Sequence, residues 1–319
     1  MQRALMVQNS KPIASISGAS GLVGRFLCLK LIAEGYKVKA LSRRRSFFNG
    51  EVELFAGDIR NVDGLVEFVK GADVVFHCAA ELHNESQMWD VNVKGTSAML
   101  AVARKAGIRH FCHLSSAGVT GECQEEWIGE ATQCSPQNTY EKSKYAAEQL
   151  VREGIPGCSV IILRPTSIIG DEKPGPLEMV LRDSFLNRLK VTIKGAECAH
   201  IVHASDVADA AIFLSRQHYR NPELFFVSCD EDPLSRFAYL WSLARAELSG
   251  DCSGVVRPVF HLPLTVSHLF RRMLRVRSNR SRFCSAKLCS AGFVFPLGVR
   301  GAVKRTIAHR RTSIEQAYG

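Results

Sequence analysis

Tyr140 and Lys144 are the residues of this chain best spaced for acid–base chemistry. Four residues apart on a helix, their side chains stack on one face. A free phenol has a pKa near ~10 and exchanges protons poorly at neutral pH. A neighbouring ammonium favours phenolate and would pull that value down. Ser115 and Ser116 follow the strand-like run 109–114. In a parallel sheet they would stand at its C-terminal edge, where ligands bind. Ser116 could hold a substrate oxygen there while Tyr140 exchanges its proton. Ser115 reads instead as a strand-end serine satisfying backbone groups.

A second group of residues is suited to phosphate. Gly18, Gly21 and Gly24 form G-x-x-G-x-x-G between a strand at 12–17 and a helix ending near Gly35. Glycines let the turn form and let backbone N–H groups approach a pyrophosphate, to which the helix N-terminus adds its positive end. The strand at 36–42 runs into Leu41-Ser42-Arg43-Arg44-Arg45, with no acid to hold a ribose 2′-hydroxyl. Arginine suits a 2′-phosphate, because it stays charged and can grip two oxygens. NADPH is therefore expected over NADH, with Arg43 the foremost contact and NADH still possible.

These residues need a frame. Strands are expected at 51–56, 73–78, 109–114 and 158–163, with helices at 62–71, 92–107 and 140–153. The alternation implies parallel βαβ units and a doubly wound sheet. Beyond 165 it weakens. A helix at 177–190, a strand near 191–194, a helix at 206–216 and a strand at 223–228 are expected, then helices and loops.

Composition sets bounds. Of 319 residues, 46% are apolar and 23% charged, which excludes a mostly disordered chain. No apolar run reaches the ~18–20 residues of a membrane span, and residues 1–12 show no secretory core. A cytoplasmic location follows as an expectation. The eleven cysteines are scattered, with no CxxC, so reduced thiols are expected and a zinc site is not.

The net charge of +10 is concentrated. Residues 252–314 hold thirteen Lys and Arg and no acid. Such a block attracts a diphosphate or an anionic membrane. No nucleic-acid motif accompanies it, so nucleic acid is not expected as a partner. Val266, Leu269, Phe270, Met273 and Leu274 recur at helical spacing among Arg271, Arg272, Arg275 and Arg277. That stripe could close a substrate lobe or lie on an anionic membrane, and its arginines could grip a diphosphate.

Taken in order, the motifs resemble the extended short-chain dehydrogenase/reductase family, the NAD(P)-dependent epimerase/dehydratase group. They are Gly18-Ala-Ser-Gly21-Leu-Val-Gly24, Gly57-Asp58-Ile59, His77-Cys-Ala79-Ala80, Asn92-Val-Lys-Gly95-Thr96, Ser115-Ser116, Tyr140-x-x-x-Lys144, Leu163-Arg164-Pro165-Thr166 and His203-Ala-Ser-Asp206. The resemblance covers about residues 13–215. It implies an α/β chain with a Rossmann-type dinucleotide-binding core over 1–165. A smaller C-terminal substrate-binding lobe would take up 166–319, with segments around 200–230 returning to the core.

The resemblance also assigns roles. The cofactor would lie on Gly18, Ser20, Gly21, Leu22, Val23 and Gly24, with Asp58 and Ile59 by the adenine, Ala79 and Ala80 by the nicotinamide ribose, and Pro165 nearby. Tyr140 would be the acid–base and Ser116 would polarise the substrate. Lys144 would serve as partner to the tyrosine and also touch the ribose. A homodimer is implied. Ala117 and Gly118 replace the Asp-Glu pair of sugar dehydratases, which argues against dehydration. Cys198-Ala199-His200 stands where many epimerases carry Arg-Asp. The expected activity is reduction of a nucleotide-linked keto sugar. The alternatives are 4-epimerisation and oxidoreduction of a steroid-like or other apolar hydroxy-ketone.

Overall fold

The computed structural model describes residues 11–43, 50–123, 125–250, 254–273 and 281–318. In chain order the first half contains β1 (Ile13–Ser17), α1 (Leu22–Ala33), β2 (Lys37–Ser42), β3 (Glu53–Ala56), α2 (Val62–Val69), β4 (Val74–His77), α3 (Glu85–Met88), α4 (Gly95–Ala106), β5 (His110–Leu114), β6 (Trp127–Ile128) and α5 (Thr139–Arg152). The second half contains β7 (Ser159–Pro165), β8 (Ser167–Ile169), α6 (Leu177–Leu181), α7 (Phe185–Lys194), β9 (Ile201–His203), α8 (Ala204–Ser215), β10 (Glu223–Val227), α9 (Phe237–Ser249), α10 (Leu264–Met273), β11 (Arg282–Phe283), α11 (Ala286–Ser290) and α12 (Gly298–Tyr318).

Seven strands form one parallel sheet in the order β10-β7-β5-β4-β1-β2-β3. Its central strands are apolar because both faces are covered. On one face α2, α4 and α5 pack through Leu65, Phe68, Met99 and Val151. On the other, Leu27 and Leu31 of α1 meet Val207 and Ala211 of α8. That second cluster continues without a break into Leu177 and Val180 of α6, Leu240 and Leu243 of α9, and Val303 and Ile307 of α12.

Three expected elements come out differently. The single helix at 177–190 is split between α6 and α7, because Ser184 starts a new helix by accepting from the Asn187 N–H (3.2 Å). The expected strand at 191–194 is instead the last turn of α7. Its β-branched Val-Thr-Ile run suggests a strand, but Val191 enters the core and Thr192 bonds the Arg188 carbonyl (3.1 Å) within the helix. The helix before Gly107 begins earlier than expected and passes through a wide π turn over Trp89–Lys94. The short pair β8–β9 was not anticipated.

Two polar clusters lie inside the sheet. Glu148, on α5, is fully buried and accepts from Arg164 of β7 (2.7 and 2.9 Å) and from Ser115 (2.8 Å). Arg152 reaches the same carboxylate from solvent (3.0 Å). His77, at the end of β4, bonds Ser17 of β1 (2.7 Å) and Thr96 of α4 (2.9 Å). Burial, helped by the Lys144 charge, pushes His77 down to about 3. His113 is displaced in the same direction by burial. Asp206, pushed up to about 6 by burial, accepts the Leu297 and Gly298 N–H groups at the start of α12.

Removing Arg164 leaves a buried carboxylate with the Ser115 hydroxyl and one cation at the rim, Arg152. Arg164→Met should cost about 3–5 kcal/mol in denaturant unfolding, and Glu148→Met with Arg164→Met together should cost much less. Acid should also destabilise the fold. An unfolded imidazole binds its proton near 6.5 and folded His77 only near 3, so its stabilising effect is lost as pH falls through that window. Asp206 acts oppositely between about 6 and 3.8, since the folded form protonates first. The unfolding midpoint should fall between about pH 6.5 and 4, less steeply in His77→Asn and more steeply in Asp206→Asn.

Candidate active site

A cavity of about 700 Å³ opens at the carboxyl ends of β1 and β4, where the strand order reverses. Gly18 makes the turn out of β1 with φ of +69°, and its carbonyl accepts the Gly21 N–H (2.9 Å). A Cβ on Gly18 would stand 2.7 Å from the Ala79 nitrogen, and one on Gly24 would press into the Gly18 carbonyl oxygen. The loop therefore packs backbone against backbone. It leaves the N-terminus of α1 facing the cavity with no side-chain cap at Gly21. A pyrophosphate fits such a cradle, because the free N–H groups and the helix dipole both favour an anion.

Every site residue expected from the sequence lines this one cavity: Gly18, Ser20, Gly21, Leu22, Val23, Gly24, Arg43, Asp58, Ile59, Ala79, Ala80, Ser116, Tyr140, Lys144 and Pro165. Ser42 at the end of β2 bonds Ser20 of the glycine loop (3.1 Å), which sets Arg43 on the rim. Arg44 and Arg45 lie outside the described residues. Asp58 accepts from Arg60 through both oxygens (2.8 Å each), which holds its carboxyl below the usual range, with Arg43 adding a smaller pull.

Ser116 leaves β5 as an extended residue whose hydroxyl accepts the Gly118 N–H (3.1 Å). Asn138 caps α5 by accepting the Glu141 N–H (2.9 Å), so Tyr140 sits in its first turn. Burial pushes the Tyr140 phenol up, while its hydrogen bond with Ser116 works the other way. Lys144 is buried and donates to the Leu114 carbonyl (2.7 Å). Burial pulls it down to about 8, against the charges of Cys78 and Glu148. The expected pull of Lys144 on the tyrosine is not seen here, because the ammonium is directed at the backbone of β5. Asn92, buried behind the cavity-lining Val91, accepts the Glu81 N–H (2.7 Å) and donates to Ser143 (2.9 Å).

Other site features carry little sequence signal. Cys78, Thr166, Ser167, Ile168 and Lys173 also line the cavity. Glu148 follows Lys144 at helical spacing, which was the only hint of its place under the serines. His200 adopts a left-handed φ of 52° and bonds the buried Asp230 (2.6 Å), while its carbonyl accepts the Ser167 N–H (2.7 Å). Histidine is among the non-glycine residues that enter that region most readily, and the bond to Asp230 holds it there.

Residues 14–227 match the family model "NAD dependent epimerase/dehydratase family". Among known proteins, the chain is 34% identical over 200 residues to an Escherichia coli O157:H7 N-acetyl-alpha-D-glucosaminyl-diphospho-ditrans,octacis-undecaprenol 4-epimerase, covering 60% of each. It is 30% identical over 197 residues to sterol demethylase protein B of Methylococcus capsulatus, covering 57% of this chain and 60% of that one. Against human sterol-4-alpha-carboxylate 3-dehydrogenase, decarboxylating, it is 25% identical over 275 residues, 81% of this chain and 71% of that one. The chain thus spans about 60% of the length of the first two. The fold matches Thermotoga maritima UDP-glucose 4-epimerase with TM-score 0.71 at 17% identity, covering 95% of this chain and 99% of that one. It matches MoeE5, solved with UDP-glucuronic acid and NAD, with TM-score 0.68 at 23% identity and the same coverage. The chain belongs to the NAD dependent epimerase/dehydratase family.

Proposed function

We propose that this chain reduces a ketone on a sugar carried by a nucleoside diphosphate, with NADPH as the preferred donor. The observation that carries the reading is the meeting of Ser116, Tyr140 and Lys144 in one cavity with the glycine cradle and Arg43. When bound, the nicotinamide supplies a hydride to the carbonyl carbon. Tyr140 gives its proton to the oxygen that becomes an alcohol, and Ser116 holds that oxygen. Lys144 orients the ribose hydroxyls, one helical turn from the phenol. Arg43 pairs with the 2′-phosphate, with no carboxylate at the end of β2 to repel it. The UDP-glucuronic acid bound by MoeE5 supports the substrate class, while the E. coli relative's name supports a diphosphate-linked sugar but carries it on undecaprenol.

A second reading is oxidoreduction of a sterol-like hydroxy-ketone. It is favoured by Cys198-Ala199-His200, which places no arginine before β9, and by the sterol-directed relatives. Competition separates the two. Under the first reading, UDP or dTDP displaces substrate and alters the nicotinamide fluorescence of bound NADPH; indifference to both passes the site to the second.

Tyr140→Phe should lower turnover by about 10²–10⁴-fold with cofactor binding nearly unchanged. Substantial residual turnover in stopped-flow assays would remove the tyrosine from its role. In fluorescence titrations, Arg43→Ala should weaken NADPH by about tenfold or more and leave NADH nearly unaffected. Equal weakening would refute the 2′-phosphate contact.

A further inference from the structure

The helix α7 carries its apolar side on the outside. Phe185, Leu186, Leu189 and Ile193 fall within one arc of about 100° on its wheel. Val191, the one buried side chain of the helix, points the opposite way. Phe185 is 81% exposed and Leu186 is 65% exposed. A globular core gains nothing from this arrangement, since each such side chain would give about 1.5–3 kcal/mol on burial.

The exposed surface continues beyond the helix. The segment leading to α10 runs along α7: Leu262 donates to the Thr192 carbonyl (2.8 Å), and the His261 ring fills the space beside Gly195. Phe260 in that segment is 80% exposed, and Leu269 on α10 is 64% exposed, with Val266 beside it. Ser267, by contrast, is buried, so α10 also turns apolar side chains outward. Monomers seldom leave apolar side chains grouped in this way without a partner.

The unpaired charge around the surface is positive, and the acid beside it, Asp183, is taken up by Arg188. Lys190 and Lys194 border one edge of the arc and make no ion pair among the described residues, and Arg188 borders the other. Arg257 is exposed just before Phe260, at the start of the acid-free stretch. A second copy of the chain on a two-fold axis would set these cations against their own images. An anionic lipid surface would satisfy both features, taking the aromatic and aliphatic side chains at the level of the acyl boundary while the lysines reach the headgroups. No helix among the described residues is long and apolar enough to cross a membrane, so the contact would lie in the interface plane.

We infer that the α7–α10 surface docks the protein onto an anionic bilayer, with Phe185, Leu186, Leu189 and Phe260 as the inserted side chains. The inference does not depend on the substrate proposed above.

The test is flotation of the full chain with vesicles of phosphatidylcholine containing about one-third phosphatidylglycerol, and with phosphatidylcholine alone. The wild type should float with the anionic vesicles, be released by high salt, and bind the neutral ones at least about tenfold more weakly. Phe185→Ser with Leu189→Ser should lower partitioning by about tenfold or more while leaving the melting temperature and NADPH binding unchanged. No flotation, equal binding to both lipids, or full binding by the double variant would each overturn the inference. Lipid-free self-association abolished by the same variant, without vesicle binding, would assign the surface to a second copy instead.

Discussion

The buried carboxylate of Glu148 ties α5, which carries Tyr140 and Lys144, to β7 and to the end of β5 beside Ser116. It sits one turn beyond Lys144 on α5, takes the guanidinium of Arg164 from β7, and takes the hydroxyl of Ser115 from the end of β5. In a region closed to water, neither the carboxylate nor the guanidinium can be left alone without a large penalty. The distance between α5 and the sheet is therefore set by ionic hydrogen bonds. Apolar packing alone would tolerate some sliding. With that distance held, Lys144 reaches the Leu114 carbonyl and Tyr140 meets Ser116.

The side chains beneath the cavity are buried, and their electrostatics follow from that. Burial keeps His77 and His113 neutral, weakens the hold of Lys144 on its proton, and raises the phenol of Tyr140. Each group is biased toward its uncharged form by the same cause. Tyr140 therefore holds its proton more firmly than a free phenol, and the hydrogen bond with Ser116 is what opposes that bias.

The parts of the fold legible in the sequence are those governed by local physics. Continuous apolar runs mark strands covered on both faces, and the glycine loop shows itself because a Cβ at Gly18 or Gly24 has nowhere to go. Tyr140 and Lys144 are visible because helical spacing brings them together. Tertiary effects hid the rest. Residues 191–193 look like a strand from their β-branching, yet the capped start of α7 and the burial of Val191 keep them helical. Glu148 and Arg164 are sixteen residues apart on different elements, and nothing local marks them as partners. Nothing in the sequence says which way the apolar positions of α7 face, and their exposure comes from the packing of Val191 on the opposite side.

The unbroken apolar cluster from α1 and α8 into α6, α9 and α12 bears on how such chains can diversify. The residues after 165 cannot be exchanged as a cassette. A graft at that point would divide one packed interior between two parental sequences, and mismatched volumes there cost as much as defects in any core. Asp206 adds a polar tie across the same seam, since it holds the first turn of α12 from α8. New specificities on this scaffold would therefore arise by substitution at the cavity wall and in the outer loops. The inner faces of α6, α9 and α12 would have to change together with α1 and α8.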